Sequence, residues 1–258
     1  MSTSGPARTR AIRAGMWGAV GVGGVAAVVL AAGLLQTVVH ANADADYQVA
    51  RTLATAQYRA AVDAHRCFDR AHARAAALRA AAQRIHDEAA DGGYLLKPKL
   101  TDVRASLGDL SGALLLATAP AGASPHGTGT PRSTTDQLQA ETKRLFGLVG
   151  AYRARARETR AVTGRVDRGI RDATRRLAAV VGGGSPGRDA SAVPSIDGDA
   201  AEFLRSLGPA APAELEAVRR AAASARSRVA AGADPVPVLL DYISTAKAAR
   251  PAAHTGRR

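Results

Sequence analysis

The chain is short of the residues that build thick cores and cross-links. Aromatics are 3% of its 258 residues, with one Trp and three Phe, so there is no platform on which bases could stack. Cys67 is the only cysteine, which excludes an intramolecular disulfide. Its alanine-rich surroundings predict a buried thiol that behaves as a small apolar group. Lysine is also scarce: 4 of the 35 basic residues, leaving 31 arginines. No H-E-x-x-H, G-x-S-x-G or paired C-x-x-C occurs, so the sequence gives no signature of a zinc hydrolase or a nucleophile elbow. No stretch alternates apolar and polar residues for long, so no sheet is expected.

What the chain does have is alanine, arginine and one long apolar run. Residues 14–39 carry no Asp, Glu, Lys or Arg and follow Arg8, Arg10 and Arg13. A bilayer core takes about 20 apolar helical residues. Arginines before the run place the stub 1–13 in the cytoplasm and everything beyond Val39 outside, by the positive-inside rule. Residues 41–43 read Ala-Asn-Ala, a signal-cleavage pattern, but signal cores run about 7–15 residues. The longer run predicts a single-pass signal anchor in the cell membrane, the alternative being a chain secreted after cleavage near Ala43.

Beyond the anchor the composition is helical. From 44 to 91 there is neither Pro nor Gly. Tyr47, Ala50, Ala54, Ala61, Ala64, Phe68, Ala71, Ala75, Leu78, Ala82, Ile85 and Ala89 step by three and four, broken at Gln57, as in a heptad seam. A second helix is predicted over 98–117, with Leu100, Val103, Leu107, Leu110 and Leu114 as its apolar stripe. Residues 118–133 are too rich in Gly, Pro, Ser and Thr to pack and are expected to be a flexible loop. A third helix runs over about 134–181, seamed by Leu138, Leu145, Tyr152, Val166, Ile170 and Leu177. It matches the first in length, which suggests an antiparallel pair.

The expected fold is therefore all-α: one N-terminal transmembrane helix, then an elongated antiparallel coiled-coil or bundle ectodomain over 44–181. A Gly/Ser/Pro linker at 182–196 leads to a small helical subdomain over 197–250. There Asp199 and Glu202 resemble a capping box. A disordered tail is expected over 251–258.

Three groupings could carry chemistry. His65, Asp69 and His72 stand at i, i+4 and i+7 and could share a metal ion. Arg66 and Arg70 beside them oppose a cation, and a stable site needs three or four converging ligands. Nine arginines fall between 153 and 176 against Glu158, Asp167 and Asp172, a local excess of +6. Arg153, Arg157, Arg160, Arg168, Arg171 and Arg175 are the candidates for binding an anionic partner. The competing expectation is a solvated face whose arginines pair with acids of the first helix. Ser244-Thr245-Ala246-Lys247 matches S-x-x-K, but its companion motifs are absent.

No cofactor and no enzymatic activity are expected. The net charge of +13 suits anionic lipid or wall polymer. Outside the membrane, nucleic acid is not an expected partner. The sequence thus points to a scaffold or interaction module of the bacterial cell envelope, possible as a homo-oligomer or with a protein partner through its helix seams. The alternative is a sensor or ligand-binding domain that uses the arginine face.

Overall fold

A computed structural model describes residues 24–126, 133–183, 195–207 and 212–255, with side chains at 34–126, 133–183, 195–207 and 213–250. Among the described residues six helices follow in order: α1 (Gly24–Gly92), α2 (Lys97–Leu114), α3 (Thr135–Gly182), α4 (Ile196–Leu207), α5 (Pro212–Ala230) and α6 (Pro235–Thr255). Among the described residues there is no strand, so the fold is all-α. Of the predicted span, residues 14–23 lie outside the described residues, as does the stub 1–13. Among the described residues no helix is long and apolar enough to cross a membrane.

Each helix end has a local cause. Gly93 takes φ +68, open only to glycine at low cost, and Tyr94 N–H reaches back to the Ala89 carbonyl at 3.1 Å. Pro98 opens α2. Thr134 and Gln137 cap α3 reciprocally, Thr134 N–H to Gln137 Oε1 at 2.8 Å and Gln137 N–H to Thr134 Oγ1 at 3.4 Å. The capping box expected at Asp199 and Glu202 does not form: α4 begins at Ile196, Asp199 is buried, and Glu202 pairs with Arg205 at 2.6 Å. α6 stays helical to Thr255, past the point where a disordered tail was expected; Ala252 and Ala253 are strong helix formers.

The chain divides into two compact units, Met1–Ala54 with Pro125–Leu148, and Thr55–Ser124 with Val149–Arg258. In the second unit α1 and α3 run parallel, which corrects the antiparallel expectation. Tyr58 meets Tyr152 edge to face with centroids 5.5 Å apart. Further along, Phe68, Ala71 and Ala75 share a cluster with Val162, Val166, Ile170 and Ala173. Further still, Ala82, Ile85 and Ala89 share one with Leu177, Val180 and Val181. The returning element is α2, antiparallel to both. It joins α1 through Arg79 Nε to Ser111 Oγ at 3.1 Å, and α3 through Arg176 Nε to Asp109 Oδ2 at 2.8 Å. Equal helix lengths constrain register and say nothing of direction, and beyond α2 the return is completed by residues of the segment expected to be a flexible loop.

That segment does pack. Tyr152 Oη donates to the Ala123 carbonyl at 2.6 Å and Arg155 Nη1 to the Ala121 carbonyl at 3.1 Å. Residues 127–132 of the expected loop lie outside the described residues. α4, α5 and α6 share one core with the ends of the long helices: Phe203, Val218, Leu239 and Ile243 cluster with Ile85, Tyr94, Val103 and Leu177. Residues 184–194 of the expected linker lie outside the described residues.

In the first unit α1 and α3 are again parallel partners, with His40 Nδ1 and Thr135 Oγ1 3.2 Å apart. Ala43, Tyr47, Ala50 and Ala54 are buried on α1, and Leu138 and Leu145 on α3.

Candidate functional site

An α-helix turns about 100° per residue, so Arg153, Arg157, Arg160, Arg168, Arg171 and Arg175 fall within roughly 80° of one another on α3. All six are exposed. The buried residues of α3 in this unit, among them Tyr152, Ala156, Val166, Ile170, Ala173 and Leu177, occupy the far side of the helix. Among the described residues Arg153, Arg157, Arg160, Arg168 and Arg171 make no ion pair, while Arg175 pairs within its own helix with Asp172 at 3.0 Å. Arg155 and Arg176, off the stripe, are the ones spent on internal bonds, to Ala121 and Asp109. No arginine of the stripe pairs with an acid of α1 among the described residues.

The histidine group is engaged in holding the return segment. His72 Nε2 lies 3.0 Å from the Leu114 carbonyl, which can only accept, so the ring donates there. His65 Nδ1 is 3.1 Å from Thr118 Oγ1, and its Nε2 is 3.8 Å from Asp69 Oδ1. Both rings flank Phe68, with centroids 6.2 and 5.5 Å away. Among the described residues no three His, Cys, Asp or Glu side chains converge as a metal site. Cys67, expected to be buried, is exposed, because one residue before Phe68 is a rotation of 100° off the seam; its Sγ lies 3.2 Å from Arg70 Nη2. Ser244 and Lys247 are both exposed, and Lys247 Nζ lies 4.0 Å from Glu88 Oε2.

Sequence reasoning missed the most buried polar cluster. Lys99 of α2 and Asp199 of α4 are both fully buried and form an ion pair. The second oxygen of Asp199 accepts from Leu96 N–H at 2.8 Å. Burial pushes the Asp199 carboxyl above the usual carboxylate range and the Lys99 ammonium below its own, while the ion pair opposes both shifts. Tyr242 Oη donates to the Tyr94 carbonyl at 3.2 Å nearby, and burial pushes its phenol up. The cluster rotates α2 away from its expected stripe: Lys99, Asp102, Val103, Ser106, Leu110 and Ala113 are buried, and Leu100, Leu107 and Leu114 are half-buried. It is closed to solvent and has the character of a structural lock between α2 and α4.

Comparison with known proteins finds no match: no family model, no curated protein and no solved structure aligns with this chain.

Proposed function

We propose that this is a membrane-tethered, extracytoplasmic helical interaction module of the cell envelope, without enzymatic activity, whose α3 arginine face binds anionic lipid headgroups or wall polymer. The tether is residues 14–39 and rests on their sequence: 26 uncharged residues behind three arginines. One observation carries the binding reading. The stripe is exposed and five of its six arginines have no acid partner among the described residues, although acids elsewhere in the unit, such as Asp109 and Asp197, are paired with other arginines. A face kept for solubility alone would gain from interleaved acids, which this one lacks over Arg153, Arg157 and Arg160.

The test uses the full chain in phosphatidylcholine nanodiscs, mixed with phosphatidylglycerol vesicles or with soluble polyphosphate. Reversal of Arg157, Arg160, Arg168 and Arg171 to Glu should reduce association at least about tenfold, and added salt should weaken the wild type, since exposed charges are screened beyond about 10 Å at 0.1 M. Unchanged association in the variant, or binding indifferent to salt, would overturn the proposal. Mass spectrometry of the mature N-terminus separately tests the tether, which fails if residues 1–43 are missing.

A further inference from the structure

The first unit leaves a second seam on α1 uncovered. Leu35, Val39, Asn42, Asp46, Val49 and Leu53 recur at alternating steps of four and three, and every one is exposed. Leu35 is 68% and Val49 55% exposed, and Phe146 of α3, beside them, is 47% exposed. Apart from Leu115, the large exposed apolar side chains among the described residues all belong to this unit. Between the two helices lies an open cleft of about 460 Å³, lined by Val39, Asn42, Asp46, Thr142, Lys143 and Phe146 among others. Thr142 Oγ1 is buried there with no hydrogen-bond partner among the described residues, a state that native structures rarely leave unfilled. Asp46 and Lys143 face the same cleft and form no ion pair with any described residue.

We propose that a second copy of this chain covers this face, packed parallel about a two-fold axis that runs along α1. Three observations select that occupant. The seam has the form of a self-pairing coiled coil, apolar at both ends with Asn42 within it. Asn42 and Asp46 are its inner polar layers, and polar layers within an apolar seam favour the one register that pairs them, at some cost in stability. The second observation is charge. His40 stands beside Thr135, so Asp46 lies about two residues, roughly 3 Å, below Lys143 along parallel helices. A two-fold axis along the helices preserves height, so Asp46 of each copy meets Lys143 of the other. The third is orientation and rests on the proposed tether: two chains rooted in one bilayer leave it level and in the same direction. Leu35 and Val39 fall within the proposed span, where lipid reaches them, but beyond Val39 lipid is a poor cover, because Asp46 and Lys143 interrupt the apolar face. Closure buries Val49 and Leu53 under Phe146 of the second copy, which is level with the gap between them.

Disulfide trapping tests the pairing in the full chain, in membranes and in mild detergent, with Cys67→Ser removing the native thiol. Asn42→Cys should give a covalent homodimer under mild oxidation. Gln48→Cys, exposed and about 120° round the helix, should give at least about tenfold less. Val49→Glu or Phe146→Glu, placed in the Asn42→Cys background, should abolish trapping while helicity stays unchanged, since both sites are exposed in the single chain. A chain that stays monomeric at Asn42→Cys, equal trapping at both positions, trapping of a different protein, or trapping indifferent to Val49→Glu would each overturn the pairing. Vesicle association of the Val49→Glu chain keeps the two proposals apart. Association that persists without trapping leaves the arginine face standing and removes only the dimer. If the mature chain lacks residues 1–43, the tether fails, and the seam that needs Leu35, Val39 and Asn42 fails with it.

Discussion

His72 Nε2 donates to the carbonyl of Leu114 at 3.0 Å, joining the middle of α1 to the last turn of α2 across 42 residues of sequence. The bond satisfies a carbonyl that a helix C-terminus leaves without an intrahelical partner. His72→Ala should cost about 1 kcal/mol in urea denaturation, the net value of one such bond. Hydrogen exchange should then accelerate in residues 115–126 and leave the amides of α1 protected. Uniform acceleration through α1 would show that the histidine supports the helix rather than the return segment.

The Lys99 and Asp199 pair should behave as a unit. Removing one partner strands a buried charge, so Lys99→Met should destabilise by about 3–5 kcal/mol. Pairing it with Asp199→Asn, which keeps an oxygen for the Leu96 N–H, should recover most of that loss. A double-mutant cycle by thermal or urea unfolding reads the coupling. Additive losses would mean that the two side chains are not paired in solution.

The same pair predicts a pH dependence with a definite sign. In Lys99→Met the Asp199 carboxyl keeps its burial and loses the lysine that lowered its pKa, so the folded value stands further above the ordinary 3.8. A carboxyl with a raised folded pKa takes up its proton in the native state first. Its unfolding free energy therefore gains as pH falls through the folded value, and stops gaining below the unfolded one. The deficit of Lys99→Met against wild type should be largest near about pH 7 and narrow toward about pH 4. A deficit that widens on acidification would contradict the assignment.

Two glycines five residues apart in α3 should respond with opposite signs. A Cβ on Gly164 would meet nothing within 4 Å, so Gly164→Ala should stabilise by about 0.5–1 kcal/mol through helix propensity. A Cβ on Gly169 would come within 3.0 Å of the Ala113 Cβ and 3.3 Å of the Asp109 carbonyl oxygen. Gly169→Ala should destabilise by about 1–3 kcal/mol as α2 is pushed outward. Melting curves of the two variants decide it, and a gain at both would mean that α2 is not packed closely on α3.

The helices and most of their buried faces were legible in the sequence, because alanine, tyrosine and phenylalanine at three–four spacing write a face directly. The seam from Tyr47 to Ala89 is the buried side of α1, with Leu78 half-buried. Direction was not legible: the contacts that make α1 and α3 parallel, such as Tyr58 with Tyr152, link residues far apart in the chain. Lys99 escaped notice because a lysine two residues from a helix start ordinarily reads as solvated, and only its pairing with Asp199, 100 residues on, makes burial tolerable. The arginine stripe was visible as composition. Its freedom from the acids of α1 depended on which helices became neighbours, and spacing on one helix does not contain that.

Residues 115–123 also set a scale of distance. His72 to Tyr58 is 14 residues of α1, about 21 Å, and the chain must cover it between Leu114 and Ala123 in nine steps. Nine helical steps advance only about 13 Å, so a continuous α2 would fall roughly 8 Å short of Tyr152. Pro120 and Gly122 thus act as a change of gear: they raise the advance per residue so that a short stretch of chain can reset the start of a long helix. Rewriting 115–123 in alanine would leave its length and polarity tolerable and its stride wrong, and α3 would lose its place beside α1.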